Sequence, residues 1–301
     1  MEISNPTSLS ILIPTWNSVC TDLVTALHQQ ASQLSGLVYE IVVIDDCSTD
    51  RSTVEANQRI NTLSHCRFIM QEHNIGRAAI RNLLARTARY DHLLFIDSHM
   101  SVISDQYLSR YLTDVSCALV YGGYTISSGI HPVGNLRFRY EQSCLPSQLA
   151  SSRSTSPYAN FHTSNFMVHR EVIISHPIDE RFKQYGYEDV LWGKTLKELS
   201  IPIKHIDNPL GFNHFESNGR FMEKTDEGLE TLFTFRQELS GYSRILSLCD
   251  RLERYHLTFP FAWTDRLLGT LMRRHLTGRH PTLTIFKLYR LCRLCRLMRG
   301  T

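Results

Sequence analysis

Short apolar runs alternate with longer segments of helical spacing along the first hundred residues. Four runs predict β-strands, at residues 10–13, 40–44, 67–70 and 93–96. Helices are predicted between them, at about 19–34, from a cap at Ser48 or Asp50 to about 63, and at 77–88. Strands that alternate with helices indicate βαβ units. The pattern therefore predicts an α/β fold with a mostly parallel sheet flanked by helices.

The regular alternation ends near residue 127. Residues 127–162 are rich in turn-forming side chains, and a loop of that length is typical of a lid, a binding loop or disorder. A strand is predicted again at 165–168 and a helix after 186–189. Beyond residue 240 the pattern predicts basic helices broken at Pro260 and Pro281. We therefore predict a catalytic domain at 1–240 and a basic helical C-terminal region at 241–301. The C-terminal region is a candidate membrane-associating segment.

Charge is distributed unevenly along the chain, although the net charge is only +3 over 301 residues. Residues 251–301 carry eleven lysines and arginines and two acids, whereas the preceding 250 residues carry 21 such cations and 27 acids. A basic segment on an acidic body indicates that the segment meets an anionic surface. A nucleic-acid partner is not expected, because the body is acidic and contains no nucleic-acid-binding motif.

A membrane surface is the preferred partner for this segment. Cations recur at every third position near its end, at Lys287, Arg290, Arg293, Arg296 and Arg299. That spacing fans around a helix instead of forming one face, so the alternative is a helix packed on the body with solvated arginines. Upstream, Trp263, Leu267, Leu268 and Leu271 form a more compact apolar stripe.

The sequence predicts a cytoplasmic protein that is peripheral on the cytoplasmic face of a membrane. No signal peptide and no apolar run near the ~20 residues of a membrane span are visible. The eight cysteines show no pattern of a small disulfide-bonded domain, and we interpret them as reduced.

A candidate metal site follows the fourth predicted strand. Asp97 and His99 come directly after it, and side chains two residues apart in an extended chain lie on the same face. They could hold one divalent cation at a strand end, which is where open α/β sheets bind ligands. The plainer alternative is a surface turn.

Two further groups of polar residues follow predicted strands. A carboxylate of Asp45 or Asp46 can accept the N–H of a pyrimidine ring, and the same cluster can cap the next helix. Asn74, Gly76 and Arg77 open a helix that also carries Arg81, and such a helix start suits a pyrophosphate. The alternative is an ordinary solvated basic helix.

A pair of acids, Glu188 and Asp189, stands at the start of a predicted helix. Acids at this position often only complement the helix dipole. A carboxylate held there can also act as a general base toward an acceptor hydroxyl.

Five segments of the chain carry a resemblance to a known family. They are residues 11–17 (ILIPTWN), 44–50 (IDDCSTD), 74–82 (NIGRAAIRN), 95–99 (FIDSH) and 186–189 (GYED). In this order they resemble the family 2 glycosyltransferases, and the resemblance covers roughly residues 8–216. It implies a GT-A (Rossmann-like) fold and inverting transfer of a sugar from a nucleotide-sugar, usually with Mn²⁺ or Mg²⁺.

The resemblance also implies roles for individual residues. Asp189, with Glu188 beside it, is implied as the catalytic base. The donor is expected to be a UDP-linked sugar by family habit. The donor-binding residues so implied are Pro14, Thr15, Asn17, Asp46, Asn74, Gly76, Arg77, Arg81, Asp97 and Ser98.

One departure concerns the metal motif, because most of the family has Asp-x-Asp where this chain has Asp97-Ser98-His99. Asp-Ser-His is similar to the motif of polypeptide N-acetylgalactosaminyltransferases, which use a further downstream histidine. By that likeness the metal ligands are Asp97, His99 and His214, with His205 the less favoured third ligand. Those enzymes retain anomeric configuration and carry Asn at the place of Asp189, so Asp189 favours the inverting mechanism.

The resulting hypothesis is a metal-dependent hexosyltransferase-type glycosyltransferase (EC 2.4) of cell-envelope polysaccharide synthesis. Its acceptor is expected to be a hydroxyl of a saccharide or a lipid-linked acceptor. A sugar-nucleotide pyrophosphorylase is disfavoured because residues 14–17 are not glycine-rich. A non-catalytic sugar-nucleotide or membrane-binding scaffold of the same fold is the other alternative, and the presence of Asp97, His99, Asp189 and His214 argues against it.

Overall fold

The computed structural model describes residues 7–300 and divides them into two compact units. Unit 1 comprises the residues up to 128 together with 146–183 and 192–214. Unit 2 comprises 129–145, 184–191 and the residues from 215 onward. Both units are therefore discontinuous in sequence.

Unit 1 contains every strand of the described chain. In chain order these are β1 (Thr7–Thr15), β2 (Leu37–Asp45), β3 (Cys66–Met70), β4 (His92–Ile96), β5 (Met100–Ser101), β6 (Leu119–Tyr121), β7 (Tyr124–Ile126), β8 (Asn165–His169), β9 (Ile203–His205) and β10 (Leu210–Phe212). Its helices are α1 (Thr21–Gln33), α2 (Arg51–Gln58), α3 (Arg77–Thr87), α4 (Tyr107–Leu112), α6 (Ala150–Arg153) and α7 (Arg170–Ser175). α5 (Leu136–Cys144) belongs to unit 2, and the division between the units falls within α8 (Glu188–Glu198).

The main sheet has seven strands in the order β3-β2-β1-β4-β8-β6-β9. β1 pairs in parallel with β2 and β4, and β2 pairs in parallel with β3. β8 runs antiparallel to both β4 and β6, and β6 pairs in parallel with β9. The predicted α/β fold with a mostly parallel sheet is confirmed, with β8 as the strand of opposite direction.

The core of unit 1 explains why the apolar runs form strands. Residues of β1, β2 and β4 such as Leu12, Val42 and Phe95 are fully buried, as expected for central strands covered on both faces. Phe95 stacks on Phe166 of β8, with ring centroids 4.9 Å apart. Trp192 also packs against Phe166. The core thus fixes where β4 ends and where the next residue, Asp97, lies.

Residues 127–162, where the sequence pattern dissolves, hold more order than a loop. They include α5 and α6, and α5 begins at the side-chain cap of Asn135, whose Oδ1 accepts from the Phe138 N–H at 2.8 Å. Arg153 of α6 is buried and donates to main-chain oxygens of Tyr121 and Ile206. These contacts fix the end of the segment on unit 1.

Unit 2 is helical in its described part. Besides α5 it contains α9 (Asn218–Thr234), α10 (Arg244–Arg254), α11 (Thr258–Thr277) and α12 (Leu283–Arg299). Residues from α5, α9, α11 and α12, among them Leu136, Met222, Leu276 and Phe286, share one core. Residues 241–301 are therefore packed with 129–145 and 215–240, and the compact units do not divide at the predicted boundary of 240.

The two predicted helix breaks differ in outcome. Pro281 lies between α11 and α12, as expected. Pro260 lies in the first turn of α11, where a proline has no helical hydrogen bond to lose, so the helix continues through it. Among residues 7–300, no helix is both long and apolar enough to cross a membrane.

The arginines of α12 are engaged within unit 2. Arg296 reaches Asp265 at 3.2 Å, and Arg293 lies 3.8 Å from both Asp265 and Glu230. Arg299 donates to Thr258 at 3.4 Å. α12 is thus packed, as in the alternative to a membrane helix, but these arginines pair with side chains of unit 2 where that alternative had them solvated.

Candidate active site

Several predicted donor-binding residues lie at the carboxyl ends of the central strands. Thr15 and Asp45 are paired in the register of β1 and β2, and Asp97 directly follows β4, the other neighbour of β1. Parallel strands place their carboxyl ends at one edge of a sheet, which is where such folds bind ligands. The fold therefore brings Thr15, Asp45 and Asp97 to one edge, as the sequence predicted.

The loops after β1 and β2 hold each other through Asn17. Its Oδ1 accepts from the N–H groups of Thr49 and Asp50, at 2.9 and 3.0 Å. Its own N–H donates to the Ser48 Oγ at 2.7 Å. Asn17 has φ of 47°, a region that Asn tolerates better than most residues. Asn17 thus shapes the edge of the site, and Trp16 beside it is 47% exposed.

Asp46 has partners other than the predicted pyrimidine N–H. Its two carboxylate oxygens accept from the N–H groups of Ile75 and Gly76, at 2.7 and 2.9 Å. The Asn74 amide donates to the Asp46 main-chain oxygen at 2.9 Å. Asp46, Asn74 and Gly76 are brought together, and their hydrogen bonds join the loop after β2 to the loop before α3. The Gly76 N–H is consequently held by a carboxylate and not offered to a pyrophosphate, and φ of 88° explains the glycine there.

Asp97 forms an ion pair with Arg81. An Arg81 Nη lies 2.5 Å from Asp97 Oδ1, and the side chains are 2% and 11% exposed. Arg81 also donates to the Arg77 main-chain oxygen at 3.0 Å. Burial would raise the pKa of Asp97, but the charges of Arg81, His99 and Arg77 hold that pKa below its usual value. Arg77, Arg81, Asp97 and His99 are thus one electrostatic cluster, with Asp97 ionised.

The predicted three-ligand metal site is not assembled. Among residues 7–300, no three His, Cys, Asp or Glu side chains are grouped so as to hold a metal ion. β10 pairs antiparallel with β5, with Phe212 opposite Met100, and the His99 ring contacts Phe212 edge-on at 5.2 Å. His214 follows β10 and is exposed. The register thus brings His99 and the segment of His214 to one small sheet, but Asp97, His99 and His214 do not form a triad.

His205, the less favoured third ligand, is held by hydrogen bonds at both of its ring nitrogens. Its Nδ1 accepts from an Arg153 Nη at 2.9 Å, and its Nε2 donates to the Pro157 oxygen at 3.0 Å. Burial, the largest influence, and the nearby Arg153 lower the pKa of His205 to about 4. Both ring nitrogens are occupied, so His205 has no lone pair for a metal ion.

Ser98 is the remaining predicted donor contact of this strand end. It is buried, and it lies in the turn between β4 and β5, in which the Met100 N–H donates to the Asp97 oxygen at 3.1 Å. Pro14 lies one residue before Thr15 within β1, opposite Ile44 of β2. Their predicted roles toward a donor stay predictions.

The two predicted catalytic acids lie in unit 2 at the start of α8. Glu188 is buried, whereas Asp189 is half-buried and its Oδ1 accepts from the Val190 N–H at 2.8 Å. Gly186 and Tyr187 before them have φ of 95° and 71°. A tyrosine with positive φ is uncommon and persists only where its surroundings hold it.

A polar cluster holds this strained segment, and no pattern in the sequence predicted it. Arg290 of α12 hydrogen-bonds to Tyr187 and to Tyr140 of α5, and Ser243 also bonds to Tyr187. Burial raises the pKa of Tyr187. Arg290 was predicted to face a membrane. Its position instead makes it a support of the segment that carries Glu188 and Asp189.

The comparisons with known proteins agree with this fold. The profile described as "Glycosyl transferase family 2" matches residues 10–174. A mannosyltransferase from Pyrobaculum calidifontis, solved with GDP-Man and Mn²⁺, aligns over 98% of this chain and 88% of its own with a TM-score of 0.58 at 13% identity. Staphylococcus aureus TarS residues 1–349 with UDP aligns over 97% and 88%, with a TM-score of 0.50 at 15% identity.

Sequence relatives match shorter segments. An uncharacterized glycosyltransferase of Haemophilus influenzae is 36% identical over 89 residues, which are 30% of this chain and 28% of that protein. Poly(ribitol-phosphate) beta-N-acetylglucosaminyltransferase TarS of S. aureus is 29% identical over 103 residues, 34% of this chain and 17% of its own. The chain thus spans well under half of the length of these relatives.

The likeness to these solved neighbours shows that the sheet and its flanking helices form a GT-A fold. The family profile covers more than half of the chain. The protein belongs to glycosyl transferase family 2.

Proposed function

We propose that this protein is an inverting glycosyltransferase that moves a hexose from a UDP-linked donor to a hydroxyl of a saccharide or lipid-linked acceptor. The observation that carries the proposal is the cluster of Arg77, Arg81, Asp97 and His99 at the carboxyl edge of the sheet. It combines cations for a diphosphate with a carboxylate held ionised. Membership of family 2 supports the transferase chemistry.

The donor is proposed to lie along this edge. The exposed ring of Trp16 offers an apolar face to a nucleobase, and Thr15 and Asn17 flank it. The positive side chains of Arg77 and Arg81 attract the diphosphate, with Arg77 the more accessible of the two. Asp46, Asn74 and Gly76 act by fixing the loop before α3 that presents Arg77.

A divalent cation, Mn²⁺ or Mg²⁺, is proposed to be held by Asp97 and His99. A carboxylate and an imidazole suit such ions, although two protein ligands leave the rest of the coordination shell to donor oxygens and water. A bound cation would supply charge neutralisation at the leaving diphosphate. His214, exposed after β10, is the candidate for a third ligand if its segment moves toward His99.

Asp189 is proposed to take the proton of the acceptor hydroxyl while that oxygen attacks the anomeric carbon. The start of a helix suits a carboxylate because the helix dipole stabilises its negative charge. Glu188 is buried and therefore less able to meet an acceptor. The relatives include a poly(ribitol-phosphate) beta-N-acetylglucosaminyltransferase, which supports an envelope polymer as the acceptor class.

The test is release of nucleoside diphosphate from a panel of UDP- and GDP-sugars, with and without saccharide acceptors. Asp189→Asn should reduce turnover by about 10²–10⁴ while the donor Kd changes little, because only proton acceptance is lost. Glu198→Gln, at the other end of α8, is the matched control and should retain wild-type turnover.

Three outcomes contradict parts of the proposal. Retained anomeric configuration in the product would exclude the inverting mechanism. Full activity in excess chelator would exclude the cation. Binding of a nucleotide-sugar without any turnover, across the panel, would favour the non-catalytic scaffold of the same fold.

A further inference from the structure

One helix of unit 2 exposes large apolar side chains in a regular row. Four of them recur at every fourth position of α11 and are each more than half exposed: Phe259, Trp263, Leu267 and Leu271. We call these four residues the α11 stripe. At 100° per residue, steps of four advance by 40°, so the stripe spans about 120° of the helix surface.

The opposite face of α11 packs against the rest of unit 2. Ala262, Met272 and Leu276 are buried in unit 2, and Asp265 is buried with Arg293 and Arg296 as partners. The orientation of α11 is therefore fixed by packing. The α11 stripe is therefore exposed because the other face of the same helix is packed into unit 2.

Cations accompany the stripe and acids do not. Arg266 and Arg274 are exposed on α11 itself. The only acid in α11 is the buried Asp265. At 100° per residue, Arg274 falls within the arc of the stripe and Arg266 falls beside it. The exposed face of α11 is thus apolar and cationic together.

This combination selects among the partners that could cover the face. α11 is 20 residues long, and it is not apolar enough to span a bilayer. A second copy docking on the same face would bring the arginines of two α11 helices together with no exposed acid of α11 to pair them. An anionic membrane surface accepts both features, because acyl chains take the apolar row and headgroup phosphates take the arginines.

We propose that the exposed face of α11 is a membrane-docking surface for anionic lipid, with the helix lying in the plane of the headgroups. Trp263 lies within the row, and tryptophan is enriched at membrane–water interfaces. The proposal places the membrane contact on α11 and not on the arginines of α12, which are paired within unit 2. It does not depend on the transferase chemistry.

The test is co-sedimentation of the full chain with vesicles of phosphatidylglycerol and phosphatidylcholine, compared with vesicles of phosphatidylcholine alone. The wild type should bind the anionic vesicles, and binding should weaken with salt. The triple variant Trp263→Gln/Leu267→Gln/Leu271→Gln should lower the partition coefficient at least tenfold. Arg266→Gln with Arg274→Gln should lower it by roughly fivefold per arginine at low salt.

The matched control replaces three apolar side chains of similar exposure elsewhere: Ile174→Gln/Leu199→Gln/Leu288→Gln. This variant should bind vesicles like the wild type. Far-UV circular dichroism and the thermal midpoint of each variant show that it is folded. Equal loss in control and stripe variants, or equal binding to neutral and anionic vesicles, would overturn the proposal.

Fluorescence gives a second measurement that needs no stripe variant. In a Trp16→Phe background, the remaining tryptophans are Trp192, which is buried, and Trp263. Anionic vesicles should shift the emission to shorter wavelength, and brominated acyl chains should quench it. An unshifted emission would overturn the proposal. So would a dimer in light scattering that the triple stripe variant dissociates, since that result makes the face an interface between copies.

Discussion

The Arg81–Asp97 ion pair makes a quantitative prediction about stability. With side chains 2% and 11% exposed, loss of one partner leaves the other charge buried and uncompensated. Breaking such a pair costs about 3–5 kcal/mol. We therefore expect Asp97→Asn and Arg81→Met each to lower the free energy of unfolding by about 3–5 kcal/mol. Asp97→Ala is expected to be at least as destabilising.

The double variant tests the physical reason. Arg81→Met with Asp97→Asn removes both charges, so its loss should be smaller than the sum of the single losses by at least about 2 kcal/mol. Equilibrium unfolding in urea measures all four proteins, with equal m-values as the condition for comparison. The exposed pair Arg220–Glu223, at 2.9 Å, is the control, and Glu223→Gln should cost under about 1 kcal/mol. Single-variant losses below about 1 kcal/mol at Asp97 and Arg81 would refute the reasoning.

Three further predictions concern other sites. The pKa of His205 is lowered to about 4, so the native state binds fewer protons than the unfolded state between pH 4 and 6.5. The free energy of unfolding should therefore fall by on the order of 2 kcal/mol as the pH drops through that window. His205→Asn, which keeps an acceptor for Arg153, should flatten this pH dependence in urea titrations at each pH. Arg290→Gln should lower kcat at least tenfold with little change in donor KM, because Tyr187 loses its support; an unchanged kcat would rule out this role. Gly122→Ala should cost about 1–3 kcal/mol of unfolding free energy, since a Cβ there would lie 2.5–2.6 Å from three polar atoms, and wild-type stability would contradict the close packing.

The strands and helices of the first hundred residues could be predicted because local and tertiary preferences agree there. Residues 41–44 of β2 and 93–96 of β4 are continuous apolar runs and are buried, and Asp50 caps α2 through the Ser52 N–H at 3.0 Å. α5 was not predicted because its residues alternate in charge and size, and its burial depends on α9 and α12 far along the chain. Non-local packing of this kind leaves no periodic signal in the segment itself.

The positions of the candidate site residues were predictable, but their partners were not. A strand end identifies Asp97, whereas its pairing with Arg81 depends on the level at which α3 crosses the sheet. Asp46 is a similar case, because its carboxylate binds the main chain of a loop 29 residues later. Arg290 was assigned to a membrane from its spacing, although Tyr187, which it contacts, is about a hundred residues earlier.

The discontinuous make-up of unit 2 has a consequence for biosynthesis. Residues 129–145 and 184–191 leave the ribosome well before α12, whose Phe286 and Arg290 complete their surroundings. Chains are made at about 5–20 residues per second, so the segment bearing Asp189 waits for several seconds before its support exists. During that interval the strained turn at Tyr187 lacks the hydrogen bond from Arg290. Activity should therefore appear only after α12 has been released, and ribosome-bound chains that stop before it should be inactive even where the sheet of unit 1 is already formed.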